Sequence, residues 1–100
     1  MNLTLRDRSL RLRVTPGEFA ALRGGATLQL SPSHAGRAIL SLELACGPSL
    51  GFFVDATCWR LVLPAADLDG FAATLPRRDG LHYDLGDGLV LEFEVDVRSR

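Results

Sequence analysis

One pattern of strand and helix signals occurs twice in this chain. Leu10, Leu12 and Val14 alternate with polar residues, and a helix start with apolar residues at helical spacing follows them. The same order returns 49 positions later, where Trp59 takes the place of Leu10. A recurring pattern of this length is typical of a repeated supersecondary unit, so it predicts two copies of one small unit related by a pseudo-twofold axis. The repeat limits the possible folds closely, but it gives no information about a substrate.

The alignment extends over most of both halves. Leu28 and Leu30 match Leu81 and Tyr83 after a few additional residues in the second copy, and the alternating run 39–45 matches 90–96. Either a duplication produced the two copies, or any two amphipathic segments with the same order of strands and helix would align this well. Both interpretations stay open. The predicted halves are about residues 2–46 and 51–97.

Helix boundaries are the clearest local signals. Thr15 can accept a hydrogen bond from the amide of Glu18 while Glu18 reaches back to the amide of Thr15, and Pro16 suits the first helical position. We therefore expect a capped helix of about two turns. In the second copy Pro64 replaces the threonine, so the helix over about 65–74 lacks that cap.

The patterns together predict an α+β domain of mostly antiparallel strands. One hundred residues form a single domain, 1–100, that can bury roughly two-thirds of its unfolded surface. Each ββαββ half alone would be a four-stranded sheet with one face covered by a short helix. We expect the two apolar faces to cover each other, which gives a curled sheet or barrel with two short helices.

Composition excludes several classes of protein. A net charge of -1 disfavours nucleic-acid binding and attraction to anionic membranes, and 47% hydrophobic residues suit an ordinary globular chain. All eleven basic residues are arginine, which a GC-rich codon supply favours, so arginine alone is weak support for anion recognition. No charged and apolar leader follows Met1 and no apolar run approaches a membrane span, so we expect a cytoplasmic protein without a membrane partner.

Arginines on the polar faces are the first candidate binding site. If the first hairpin neighbours the acidic last strand, carboxylates such as Glu92 and Glu94 would form cross-strand ion pairs with them. The alternative is a basic ribbon that binds a carboxylate, a phosphate or an acidic partner. The candidate binding residues are Arg6, Arg11, Arg13 and Arg60.

An aromatic hairpin is the second candidate. Phe53 and Val62 occupy outward positions where the first copy has Thr4 and Arg13. Neighbouring apolar side chains on a charged face lower solubility unless they are covered. We therefore expect Phe53 and Val62 to lie at an interface with a second subunit or another protein.

Catalytic and metal-binding patterns are not recognisable. His34 and His82 have no second ligand at a diagnostic spacing, so no metal or cofactor is predicted. Cys46 and Cys58 lie too far apart in sequence for a zinc or redox motif, and they form either one disulfide or two free thiols. No serine stands in a nucleophile motif, so we assign no catalytic residues.

The opening of the chain carries a resemblance to a family. Leu10-Arg-Leu-Arg-Val-Thr15, followed by Glu18, resembles the opening of an uncharacterised family of small bacterial proteins with a hairpin and an I-R-L-R-L-T-x-x-E segment. The resemblance covers about the first quarter of the chain. It implies a free-standing bacterial domain and brings no mechanism.

Two functions remain from the residues. The first is a non-enzymatic binding or assembly module, homodimeric through the aromatic hairpin. The second is a small-molecule-binding or hydrolytic domain with its site at the pseudo-twofold axis, in a barrel mouth ringed by charged side chains.

Overall fold

The computed structural model describes residues 1–76 and 79–96. Short strands dominate this part of the chain, and two helices of eight residues each interrupt them. The second predicted half ends at Val97, which lies outside the described residues. In chain order the elements are β1 (Asn2–Arg6), β2 (Ser9–Val14), α1 (Pro16–Arg23), β3 (Leu28–Leu30), β4 (Ser33–His34), β5 (Arg37–Ala38), β6 (Ser41–Gly47), β7 (Gly51–Asp55), β8 (Cys58–Pro64), α2 (Ala65–Ala72), β9 (Leu81–Gly86) and β10 (Leu89–Val95).

The strands form two four-stranded sheets and one small hairpin. The first sheet has the order β1-β2-β10-β9, the second sheet has the order β3-β6-β8-β7, and β4 pairs with β5 alone. Both central pairs, β2 with β10 and β6 with β8, are parallel, and every other pair is antiparallel. The predicted α+β class with mostly antiparallel strands is confirmed. We expected a curled sheet or a barrel; the barrel is wrong, because the strands of the described residues divide into two open sheets.

Neither half of the chain forms a sheet by itself, contrary to our expectation. The first sheet combines β1 and β2 of the first half with β9 and β10 of the second, and the second sheet combines β7 and β8 of the second half with β3 and β6 of the first. The parallel central pair joins the halves in both. In the first sheet Leu91 lies beside Leu10, and in the second Leu42 lies beside Trp59. Exchange of strands between the halves makes both sheets depend on both halves.

A single hydrophobic core joins the two sheets and both helices. The inward residues of alternating strands meet there, as the period-two pattern predicts. Phe19 of α1 and Phe71 of α2 pack edge to face at 5.9 Å. The buried apolar residues are Leu10, Leu12, Val14, Phe19, Leu22, Leu42, Leu44, Leu61, Leu63, Leu68, Phe71, Leu91, Phe93 and Val95.

The helix starts follow the sequence prediction. The amide of Glu18 donates to Thr15 Oγ1 at 3.1 Å and the amide of Thr15 donates to Glu18 Oε1 at 2.9 Å, so the capping box of α1 is confirmed. Hydrogen bonds from the Met1 amine and the Thr15 amide hold the pKa of Glu18 below its usual range. Pro64 precedes α2 without a side-chain cap, as expected. Among the described residues no helix is long and apolar enough to span a membrane.

The connection after β3 contains a small hairpin. β3 covers Leu28–Leu30, and β4 and β5 pair with each other before β6 begins. Ala35 and Gly36 both have positive φ, at 53° and 77°, which suits the two-residue turn of such a hairpin.

Candidate functional site

The structure brings three of the four candidate arginines together. Arg6, Arg11 and Arg13 all lie on the outer face of the first sheet, where Thr4 pairs with Arg11 in register. Arg60 lies on the outer face of the second sheet, beside Phe53. The arginine cluster on the first sheet is therefore Arg6, Arg11 and Arg13.

Glu94 contacts two members of this arginine cluster, Arg11 and Arg13. Its carboxylate accepts hydrogen bonds from Arg11 Nε at 3.1 Å and Arg11 Nη2 at 2.9 Å, and Arg13 Nη2 lies 3.5 Å away. Glu94 is only 8% exposed, although it points away from the core. The expected cross-strand ion pair is confirmed, because β10 lies directly beside β2. The carboxylate that these arginines bind comes from the same chain.

Electrostatics at Glu94 favour the ionised form. Burial alone raises the pKa of its carboxyl group, but hydrogen bonds from Arg11 and the charges of Arg11 and Arg13 outweigh burial and hold the pKa below its usual value. Two arginines are thus committed to one carboxylate. The cluster has less positive charge to offer a ligand than its sequence indicates.

Arg6 has no ion pair among the described residues. With Arg11 it lines a hollow of about 230 Å³ together with Thr4, Ser9 and Glu92. The carboxylate of Glu92 in the same hollow opposes the binding of an anion, and it also lies 3.6 Å from Nε2 of His82. The hollow therefore mixes both signs of charge.

The second sheet has a different outer face. Arg60 lies beside Glu43 in register, yet Arg60 forms no ion pair within the described part of the chain. Glu43 accepts a hydrogen bond from Gln29 Nε2 at 3.3 Å. Ala45 lies beside Val62 as Glu94 lies beside Arg13, so the second sheet has an alanine where the first has the buried carboxylate.

Small and apolar residues cover the rest of this face. A Cβ atom at Gly47 would lie 2.8 Å from Val62 Cγ1, and one at Gly51 would lie 2.8 Å from Cε2 of Phe53. The two side chains therefore lie flat over glycine backbone, while Phe53 remains 60% exposed. We name Ala45, Gly47, Gly51, Phe53 and Val62 the Phe53 patch.

Sequence analysis named only Phe53 and Val62 of the Phe53 patch. The other three members, Ala45, Gly47 and Gly51, were not singled out there. The absence of charge at all three positions was the available signal. It has meaning only once β6, β7 and β8 are known to be neighbours.

Histidine and cysteine side chains do not converge. Cys46 donates from Sγ to the carbonyl of Leu22 at 3.2 Å, and Cys58 is exposed; both thiols are free. Cys58 lies on the second sheet and His82 on the first. Within residues 1–76 and 79–96, no three His, Cys, Asp or Glu residues are placed to hold a metal ion.

Apolar clefts lie at two places, neither of them a barrel mouth. One of about 450 Å³ has Leu3, Leu5, Ile39 and Trp59 among its lining residues. Another of about 390 Å³ lies beside both helices, against Phe19 and residues 72–76. The predicted ring of charged side chains at a barrel mouth is wrong, since there is no barrel.

Comparisons with known proteins identify no relative. A scan against protein-family models finds no match, and searches of the curated proteins and of the solved structures find none either.

Proposed function

We propose that this protein is a non-enzymatic assembly module that forms a homo-oligomer through its aromatic hairpin β7–β8. One observation carries the proposal. Phe53, on the outer face of the edge strand β7, exposes 60% of its surface next to the uncharged residues of the Phe53 patch. Exposed apolar patches on an otherwise polar surface mark sites of protein interaction.

The first sheet supplies an internal comparison. At the positions that correspond to Phe53 and Val62 it carries Thr4 and Arg13, and Arg13 lies close to the buried carboxylate of Glu94. Arg11 and Arg13 of that face share a partner within the chain. On the second sheet Arg60 forms no ion pair within the described residues and Phe53 stays exposed, which supports a partner there.

The decisive variant is Phe53→Asp, with Thr4→Asp as the matched control on the other sheet. We expect the wild type and Thr4→Asp to associate in light-scattering measurements, and Phe53→Asp to remain monomeric and folded. Even beside Arg60, a carboxylate at position 53 would lose its hydration in the contact, which costs enough free energy to dissociate a dimer of moderate affinity. A wild-type chain that stays monomeric at high concentration would contradict the proposal.

A second function, small-molecule binding, is favoured by the 450 Å³ cleft beside Trp59. Its lining suits an apolar ligand and holds no charged side chain. Because the chain has a single tryptophan, its emission reports directly on this cleft. Titration with a medium-chain fatty acid should shift that emission if the cleft binds it, and an unchanged spectrum at millimolar ligand would exclude this function.

Origin and location are part of the proposal. The matching strand orders, β1-β2-β10-β9 and β7-β8-β6-β3, support a duplicated ancestral unit. The resemblance of residues 10–18 supports membership of the small bacterial family with that opening. We propose the bacterial cytoplasm as its location on the basis of that resemblance.

A further inference from the structure

Strand β7 is an open edge of the second sheet. Among the strands of the described residues it pairs with β8 alone, so alternate backbone N–H and C=O groups along Gly51–Asp55 point away from the sheet. Such groups can form hydrogen bonds with the backbone of another strand. Proteins usually protect an edge with charged residues, as β9 does here with His82 and Asp84. β7, like β1, has a single charge at its end, Asp55 in β7 and Arg6 in β1.

Both faces of this edge are apolar and exposed. Phe53 on the outer face is 60% exposed, and Val54 on the opposite face is 58% exposed. A partner that lay on the outer face would cover Phe53 and leave Val54 in water. A strand added at the edge would cover both side chains and satisfy the free backbone groups at once.

We propose that β7 pairs antiparallel with β7 of a second copy of this chain, about a twofold axis at Phe53. The inference rests on the proposed homo-oligomer and specifies how its contact is made. The two second sheets would then form one continuous sheet across both subunits.

The register supports a second copy as the occupant. With the axis at Phe53, Phe52 lies opposite Val54 of the partner subunit, and Gly51 lies opposite Asp55 of the partner subunit. Apolar side chains therefore meet at the centre, and no like charges stand opposite each other. Arg60, which neighbours Phe53 in register, flanks the paired aromatic rings from each subunit.

Two lysine variants separate edge pairing from contact through the face. Val54→Lys places a charge on the edge, and Val62→Lys places the same charge on the Phe53 patch one strand away from the edge. In sedimentation at a series of concentrations, Val54→Lys should raise the dimer dissociation constant at least tenfold, and Val62→Lys should change it less than threefold.

The reverse result, loss of the dimer in Val62→Lys alone, would overturn edge pairing and leave the proposed assembly function standing. A wild type that never dimerises would overturn both. Circular dichroism on each variant distinguishes dissociation from unfolding, and the exposure of Val54 makes lysine tolerable there.

A disulfide tests the register independently of stability. In a Cys58→Ser background, Phe53→Cys should form an intersubunit disulfide in air, because directly opposed Cα atoms lie about 4.5–5.5 Å apart, within disulfide range. The matched control, Asp55→Cys on the same face, should not cross-link, because its partner thiol would lie about 13 Å away along the strand. Cross-linking at both positions, or at Asp55→Cys alone, would overturn this register.

Discussion

Arg11 binds both carboxylate oxygens of Glu94 on the outer face of the first sheet, at 2.9 and 3.1 Å. Glu94 has an outward position, yet it is nearly as buried as a core residue because the long side chains of Arg11 and Arg13 cover it. The ion pair joins β2 of the first half to β10 of the second. It therefore reinforces a parallel contact that no turn holds in place.

Replacement of this carboxylate should destabilise the fold in a pH-dependent way. We expect Glu94→Gln to lower the free energy of unfolding by about 2 kcal/mol at pH 7, because the buried hydrogen bonds from the arginines then have an uncharged acceptor. The folded pKa of Glu94 lies below the unfolded value of about 4.3. The stability that the charged Glu94 adds to the wild type is therefore fully present above the unfolded pKa. It is lost as the pH falls through the folded pKa.

Urea unfolding at pH 7 and at lower pH measures this prediction at low protein concentration. Glu43→Gln is the control, since Glu43 accepts only one long hydrogen bond from Gln29 and should lose less than about 1 kcal/mol. Equal losses for the two variants would show that the buried pair contributes no more than a surface contact.

Sequence reasoning predicted the faces of the strands well. Leu12 and Leu91 point into the core and Arg11 points out, as their alternation requires. The capping box at Thr15 also follows from four adjacent residues. Both features depend on local chemistry, which a single sequence contains.

Partners of the strands could not be predicted in this way. Nothing local identifies β10 as the neighbour of β2, because a parallel pair has no connecting turn and both inward faces are equally apolar. Our alignment of the two halves is out of register for the same reason. Our alignment equates Ile39 with Val90, an offset of 51, whereas the ladders place Leu42 and Leu91 in corresponding positions, an offset of 49. A shift of two residues leaves every side chain on the same face of its strand, so the apolar and polar alternation cannot detect it.

The site was predictable only in part, for the same physical reason. Phe53 and Val62 stand out in the sequence because apolar residues interrupt a polar alternation. The edge position of β7 and the alanine at 45 opposite Val62 gain meaning only from the strand order.

The cap of α1 should have a measurable free energy. Thr15→Ala removes the acceptor for the amide of Glu18, and we expect a loss of about 1 kcal/mol in the free energy of unfolding. Pro64→Ala removes no equivalent hydrogen bond from α2 and serves as the control. Identical denaturation midpoints for the wild type and Thr15→Ala would mean that the cap adds nothing to stability.

Two glycine variants should change stability in opposite directions. Gly70 lies within α2 and a Cβ there meets nothing within 4 Å, so Gly70→Ala should stabilise the fold by about 0.5–1 kcal/mol. At Gly80 a Cβ would lie 2.2 Å from the carbonyl oxygen of Phe93, so Gly80→Ala must displace backbone and should destabilise the protein. Thermal unfolding distinguishes the two, and a stabilising Gly80→Ala would show that the chain at Gly80 does not approach β10 so closely.

An ion pair like that of the first sheet should be transferable to the second. Ala45 holds the position that corresponds to Glu94, and Arg60 holds that of Arg11, so Ala45→Glu would give Arg60 a carboxylate at the same diagonal. We expect a coupling free energy of about 0.5 kcal/mol between the two positions, because the new pair is more exposed than its counterpart. A double-mutant cycle with Arg60→Gln measures it directly: Arg60→Gln should have little effect on the wild type and a clear cost in the Ala45→Glu background. Zero coupling would mean that the two parallel central pairs, although alike in register, place their outward side chains differently.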